Sequence, residues 1–258
     1  HCESSAASDV YKRQNGYIGK RQLQRAMRAV QREPLDANNP LRFTVLRVPF
    51  FLEPEYPRDE AWSETNRTRL ERKWGGKREF DAQKRRHRLK ERGEDVGIKH
   101  FNLDRLASST MASHRLVQWV TKNHGCTASE TLYNDLNKRH FEDGQKLNDK
   151  RMLAEAAARV GVDANEAMEF LQSGEGEMEI EGALLILRKM GINSIPNFIV
   201  GAQHILSGAV HSSELIKLFR QIERTGKGAP DSAFAAVLGI GDDVIARPLD
   251  ASYNEASA

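Results

Sequence analysis

The sequence predicts an α/β fold, in which a helix and a strand precede a long helical block, and a β-hairpin and one further helix follow it. Three features carry that reading. Apolar residues recur at i, i+3, i+4 and i+7 from Leu23 to Val30, the run 42–48 is short and rich in β-branched and aromatic residues, and after Gly191 the helical period gives way to two short apolar runs.

Leu23, Ala26, Met27 and Val30 lie on one face of a helix that is orderly from Tyr17 and runs to about Arg32, where Pro34 stops it. Arg42-Phe43-Thr44-Val45-Leu46-Arg47-Val48 then reads as a buried strand, ended by Pro49. The apolar Phe50-Phe51-Leu52 in the loop beyond is expected to pack against the body. Between Asp59 and Gly191 the pattern is almost wholly helical. Thr127-Ala128-Ser129-Glu130 reads as a capping box and Asp163 with Glu166 repeats it, each marking a helix start whose free N–H groups need partners. Leu153, Ala156, Ala157 and Val160 form one apolar stripe, Ala164, Ala167, Met168 and Leu171 a second, and Ile180, Ala183, Leu184 and Leu187 a third. Asn197–Val200 and His204–Ser207, separated by Gly201-Ala202-Gln203, read as a hairpin. Leu215, Leu218, Phe219 and Ile222 mark the helix after it, with Ser212 or Ser213 as its cap. Beyond Thr225 the chain is rich in Gly, Ala and Asp, and residues 225–258 are expected to form a disordered tail.

This order lacks only an initial strand to become the βαβ plus ββα arrangement of a thioredoxin fold with a large helical insertion. Parallel pairing of the 42–48 strand requires such a partner, so the first strand is read as missing or replaced in this chain. The replacement has a visible source: Ser4-Ser5-Ala6-Ala7-Ser8-Asp9-Val10-Tyr11-Lys12-Arg13-Gln14 reads as a translated sequencing adapter. Residues 1–14 are therefore expected to be an adapter remnant outside the fold, 15–58 and 191–224 the core, and 59–190 the insertion.

Composition narrows the function class. In 258 residues, with 39% apolar and 29% charged, no apolar run approaches the ~18 residues of a membrane span, so no membrane partner is expected. A net charge of +3 gives no reason to expect nucleic acid. The basic stretch from Arg67 to Arg92 is interleaved with Glu71, Glu79, Asp81 and Glu91, and reads as a solvated helical face rather than a phosphate patch. Cys2 and Cys126 are the two cysteines, too few for a disulfide framework or a metal site, and a reducing, cytoplasmic setting is the default. Cys126, before the Thr127 box, reads as a structural thiol, and His114 as a histidine held by a structural hydrogen bond.

In a thioredoxin-type site the nucleophilic cysteine sits at the N-terminus of the first helix, where unpaired N–H groups and the helix dipole stabilise a thiolate. A proline faces it across the site. Ser194-Ile195-Pro196-Asn197-Phe198 leads into the first hairpin strand, so Pro196 is expected to be cis and to contact the 15–17 segment. Gly16, Tyr17, Ile195 and Pro196 are the expected substrate-binding residues, with no metal and no assignable catalytic group.

The chain resembles the DsbA-like oxidoreductases of the FrnE type, relatives of 2-hydroxychromene-2-carboxylate isomerase and kappa-class glutathione transferase. Gly16-Tyr17-Ile18-Gly19-Lys20-Arg21-Gln22-Leu23 is similar to the family's Cys-Tyr-Ile-Gly-Lys-Arg-x-Leu, and Val48-Pro49-Phe50-Phe51-Leu52-Glu53-Pro54 to its Pro-Phe-Phe-Leu-x-Pro loop. Ser109 to Leu116, Phe141 to Gly144, Leu153 to Val162 and Gly191 to Gly208 match four further motifs in the same order. The resemblance implies thiol–disulfide exchange with a protein or small-molecule thiol or disulfide, by a domain for which a homodimer is allowed. It also exposes a departure. Gly16 stands where the second cysteine of the family's Cys-Pro-Trp-Cys would be, and the first falls on Arg13. A glutathione-dependent isomerase or transferase, with glutathione as cosubstrate, and a non-catalytic binding module are the alternatives that this departure keeps open.

Overall fold

Helix α1 (Lys12–Arg32) buries Leu23, Ala26, Met27 and Val30 on the face that their spacing predicts, and all four enter the largest apolar cluster. The structure is a computed structural model that describes residues 12–201, 203–228, 233–250 and 253. Because α1 takes in Lys12, Arg13 and Gln14, the expected boundary at residue 15 is corrected: all three are good helix formers, and Gln14 is buried. Val10 and Tyr11, expected beside them where a strand has been replaced, lie outside the described residues.

The expected strand at Arg42 to Val48 is also corrected, because 41–50 carries no strand or helix. A strand needs a partner, and no described strand pairs with this one. Single bonds hold it instead. The Leu249 N–H donates to the Phe43 carbonyl at 2.7 Å, the Thr44 hydroxyl to the Ile245 carbonyl at 3.0 Å, and Gln118 Nε2 to the Arg47 carbonyl at 2.6 Å. The Phe43 ring lies 4.8 Å from that of Phe219.

In the helical block, β1 (Glu64–Thr65) pairs antiparallel with β2 (Leu106–Ala107), and α2 (Asn66–Trp74), α3 (Lys77–His87) and α4 (Leu89–Glu94) lie between them in sequence. Its basic residues are paired: Arg67 with Asp104 at 2.6 Å, Arg72 with Glu64 at 2.6 Å, and Lys90 with Glu94 at 3.9 Å. Exposed pairs of this kind contribute roughly 0.2–1 kcal/mol each and fit the solvated-face reading, but Arg69 in the same stretch corrects it, being buried on Glu53. Of the run Lys84 to Arg88, the side chains of Lys84 and Arg86 lie outside the described residues.

Helix α5 (Met111–Phe141) is interrupted at Gly125, whose φ of 87° takes the left-handed region that only glycine enters freely. The capping box expected just beyond is corrected. Glu130 turns into the core, and the Thr127 hydroxyl accepts the Asp250 N–H at 3.0 Å. Helices α6 (Lys150–Ala158), α7 (Ala164–Gln172) and α8 (Glu177–Lys189) carry the three apolar stripes. Asp163 caps α7 as expected, accepting from the Asn165 and Glu166 N–H groups at 2.8 and 3.1 Å. Through Ile180 and Ala183, α8 joins the same cluster as α1, so the block 59–190 is built into the core rather than appended to it.

Strands β3 (Asn197–Val200) and β4 (His204–Ser207) form the expected antiparallel hairpin, with Asn197 opposite Ser207 and Val200 opposite His204. Helix α9 (Ser212–Thr225) packs along α1 through Leu215, Phe219 and Ile222. Its cap is His211, whose Nδ1 accepts the Ser213 N–H at 3.2 Å, and not Ser212 or Ser213; the Ser212 N–H is taken by Gln22 Oε1 at 2.9 Å. The expected disorder of 225–258 is corrected where the structure describes it. Helix α10 (Ala233–Val237) lies on α8, α11 (Asp242–Ile245) lies on α5, and Leu238, Ile240, Val244, Leu249 and Tyr253 are buried. Weak periodicity hid these residues, yet together they cover apolar surface on α1 and 41–48 that water would otherwise wet. Among the described residues no helix is long and apolar enough to cross a membrane.

One buried carboxylate ties these parts together. Glu130, fully buried, accepts from Arg47 through Nη2 at 2.7 Å and through Nε, and from the Tyr253 hydroxyl at 3.0 Å, with Lys20 Nζ at 4.0 Å. Asn134 accepts from Lys20 and donates to the Tyr253 hydroxyl at 3.1 Å, and Gln24 Nε2 donates to the same hydroxyl at 2.8 Å. Burial pushes the Glu130 carboxyl up, but Arg47 and Lys20 outweigh it and the net shift is downward. A carboxyl held down in this way stabilises the fold above the usual carboxylate range, and that stability is lost as the pH falls through it. Removing one partner of a buried pair costs about 3–5 kcal/mol. Glu130→Gln is therefore expected to lower the unfolding free energy at pH 7 by about 3 kcal/mol, and Tyr253→Phe by about 1 kcal/mol. Urea denaturation measures both, and a Glu130→Gln loss below 1 kcal/mol would mean that Arg47 and Lys20 are held some other way.

Candidate functional site

The N-terminal end of α1 meets the loop that enters β3. The Ile195–Pro196 peptide bond is cis, as the sequence led us to expect. A Cβ placed on Gly16 would lie 3.9 Å from Ile195 Cδ1, an ordinary van der Waals contact, so position 16 faces the proline loop with room for a side chain. Gly19, one turn on, has none: its Cβ would fall 3.1 Å from Pro196 Cγ and 3.2 Å from Phe198 Cζ. This glycine is what lets α1 and β3 approach so closely.

The loop also presents free main chain. The Pro196 carbonyl accepts the Gly208 N–H at 2.8 Å and the Ser194 carbonyl is taken by the Asn197 side chain. The Ile195 N–H and carbonyl have no partner among the described residues. An extended peptide laid against the proline edge would find one donor and one acceptor there.

Gly16, Ile195 and Pro196 thus come together as predicted, whereas Tyr17 turns into the body. It is 1% exposed, stacks on Phe141 at 5.4 Å, and donates its hydroxyl to Glu142 Oε1 at 2.9 Å. Burial raises its hydroxyl pKa to about 12. Tyr17 therefore anchors the start of α1 and also lines the small pocket beside Gly16.

That pocket, about 100 Å³, is lined by Arg13, Gly16, Phe50, His114, His140 and Ile195 among others. Arg13 and Gly16, the positions that the resemblance aligns with the family's two cysteines, both line it. Its surroundings are cationic. Arg69 and Lys73 bind Glu53, Arg69 through Nε at 2.7 Å and Lys73 at 2.7 Å. Burial pushes Glu53 up, yet these bonds hold it at about 2. Burial and the neighbouring Arg69 push Arg13 down to about 10 against the pull of Glu53 and Glu55, and burial, Arg13 and Arg69 all push Arg105 down.

Two histidines border the pocket in neutral form. His114 is driven down to about 4 by burial, with a bond to the Phe50 backbone opposing, and its ring meets the Phe51 ring edge-on at 5.2 Å. His140 is pushed well below its ordinary value by burial and then Arg105, while its Nδ1 lies 2.8 Å from the Gln145 carbonyl and its Nε2 has no partner among the described residues. His114 does make the structural bond that the sequence reading preferred. Cys126 is a core thiol, raised to about 11 by burial, far from any thiolate chemistry. Among the described residues no group of three or more His, Cys, Asp or Glu side chains could hold a metal.

The pattern of the DSBA-like thioredoxin domain matches residues 16–219. The chain belongs to that family. Among solved structures, a Streptomyces coelicolor protein described as a "probable DsbA oxidoreductase" shares the fold with a TM-score of 0.69 at 22% identity, over 84% of this chain and 88% of that one. No curated protein sequence matches. The DsbA-like match begins at Gly16 and takes in the Ile195–Pro196 loop. What sequence reasoning missed at the site is its electrostatics. Arg69, Arg105 and His140 come from three separate elements, and no linear spacing joins them.

The pH dependence of stability follows. An unfolded histidine titrates near 6.5, so with His114 at about 4 the unfolded chain takes up the proton first. The stability from burying this neutral ring is complete above pH 6.5 and is lost as the pH falls towards 4, by about 3 kcal/mol at most. His114→Gln is expected to flatten the decline between pH 7.5 and 4.5 in urea titrations. An unchanged slope would place the proton uptake elsewhere.

Proposed function

We propose that this chain carries the scaffold of a DsbA-family thiol–disulfide oxidoreductase, and that as given it binds extended peptide at the cis-proline edge without turning over disulfides. The observation that carries this reading is the pairing of the Arg13 and Gly16 positions at the start of α1 with the unpartnered Ile195 main chain. The relative's described activity supports the class. The chemistry explains the inactivity. Exchange requires a thiolate to attack a disulfide sulfur and a second thiol to resolve the mixed disulfide, and neither an arginine nor a glycine supplies one.

The chain is accordingly expected to reduce insulin no faster than dithiothreitol alone, and Cys126→Ala to change nothing. The double substitution R13C/G16C tests the scaffold. The thiolate introduced at position 13 would attack the insulin disulfide and release one insulin thiolate. The thiol at position 16 would then displace the second, leaving a domain disulfide for dithiothreitol to reduce. A gain of at least about tenfold over background is expected, since the helix start and surrounding cations favour a thiolate. Turnover in the unsubstituted chain that disappears with Cys126→Ala would refute the proposal and make Cys126 the site. No gain in a folded R13C/G16C variant would refute the scaffold reading.

A further inference from the structure

Helix α5 is interrupted at Gly125, and its start and its end both reach the small pocket beside Gly16, through Thr110 and Ser113 from one and His140 from the other. Groups of opposite hydrogen-bonding need meet there. His140 is 2% exposed, and its Nδ1 lies 2.8 Å from the Gln145 carbonyl. A carbonyl can only accept, so Nδ1 carries the hydrogen and Nε2 of the neutral ring is a bare lone pair, with no partner among the described residues. That atom requires a donor. Arg13, which also lines the pocket, donates no hydrogen bond among the described residues, and neither do the Ala112 and Ser113 N–H groups in the first turn of α5. Glu53 acts on Arg13 without bonding to it, its oxygen being taken by Arg69 and Lys73. Arg13 and the helix start therefore require an acceptor, and a negative one suits both.

We propose that this pocket binds a small carboxyl group, as a carboxylate on Arg13 and the start of α5 whose binding brings one proton onto His140 Nε2. One group then answers both needs. Water or an alcohol offers Arg13 no charge, and a halide brings His140 no hydrogen. The apolar walls of Phe50, Leu52 and Leu136 suit a short alkyl chain and not a phosphate, whose remaining oxygens would find no donors. At about 100 Å³ the pocket is two-thirds of a ~150 Å³ cavity that admits benzene, so it holds about four non-hydrogen atoms, the size of acetate. The charges that bear on His140 are Arg105, Arg13 and Arg69, all cationic, and together with burial they keep the ring neutral on their own. A carboxylate on Arg13 opposes that field, and the ring takes the proton. His114, driven down to about 4, and Tyr17, driven up to about 12, do not compete for it.

Two sources carry such a group, a free short acid and an aspartate of a peptide lying along the Ile195 edge, which borders the same pocket. The site itself rests neither on redox chemistry nor on peptide binding. The probes, added to the full chain, are acetate and acetyl-Ala-Asp-Ala-amide, with acetamide and acetyl-Ala-Asn-Ala-amide as their uncharged isosteres. Binding is followed by NMR of the chain labelled with nitrogen-15 at histidine. At pH 7 acetate is expected to move the His140 Nε2 resonance to that of a protonated nitrogen, and its Kd to rise about tenfold per pH unit from pH 5.5 to 7. His140→Gln is expected to abolish that slope and His114→Gln to keep it, while Arg13→Gln weakens acetate by at least about tenfold. The nitrogen resonance belongs to the unsubstituted chain, so the test stands even where His140→Gln does not fold. Binding of the aspartyl peptide alone, with the same proton uptake, would uphold the site and assign its carboxyl group to a peptide. Three results would overturn the proposal: no binding of either acid, isosteres that bind as tightly, and a His140 Nε2 that keeps its lone pair when acetate is bound.

Discussion

The fold depends on the demand of one buried carboxylate for compensation. A charge withdrawn from water costs several kcal/mol unless opposite charge and hydrogen bonds replace the solvent, so Glu130 can sit at zero exposure only if its partners are brought to it. They come from three other parts of the chain: Lys20 on α1, Arg47 on the extended segment and Tyr253 near the C-terminus, with Asn134, one turn further along α5, bonded in turn to Lys20 and Tyr253. This matters because the usual source of such coherence is absent. Segment 41–48 has no ladder to hold it, and the ion pair at Arg47, with the Gln118 bond to its carbonyl, fixes the segment at the distance from α1 that a sheet would otherwise set.

The geometry of the site is separable from its chemistry. The contact of α1 with the proline loop is set by Gly19, where any Cβ would meet Pro196 and Phe198, and by Tyr17, whose hydroxyl and ring are spent on Glu142 and Phe141. Neither residue takes part in thiol exchange. The cleft and the cis peptide stand where these two residues bring α1 against the proline loop, beside the unpartnered main chain of Ile195.

What the sequence revealed follows from the range of the interactions concerned. Stripes such as Leu215, Phe219 and Ile222, the Asp163 cap and the hairpin at 197–207 are local, and each is present where the spacing puts it. Pro196 was legible only because element order supplied its context. Glu130 misled because a Thr followed three residues later by Glu satisfies the capping rule equally well whether that Glu faces solvent or Arg47. The C-terminal segment misled because its buried residues cover the surface of other elements, so their spacing obeys those surfaces and not a helical period. The strand at 42–48 failed for the reason that its own sequence cannot contain: strand character belongs to a pair.

The cations around the small pocket bear on what any thiol chemistry there would favour. Burial first, and then Arg105, Arg13 and Arg69, depress the proton affinity of His140, while Glu53, already bound by Arg69 and Lys73, and Glu55 pull Arg13 the other way. A neutral disulfide gains little from such a field, but a thiolate gains both from the field and from the N–H groups at the start of α1. Stabilising the reduced, ionised form of a dithiol makes its disulfide the more oxidising member of the couple. The field itself comes from residues on α2, the loop at 53 and the loop before α5. It would survive any change at positions 13 and 16 that left those residues in place.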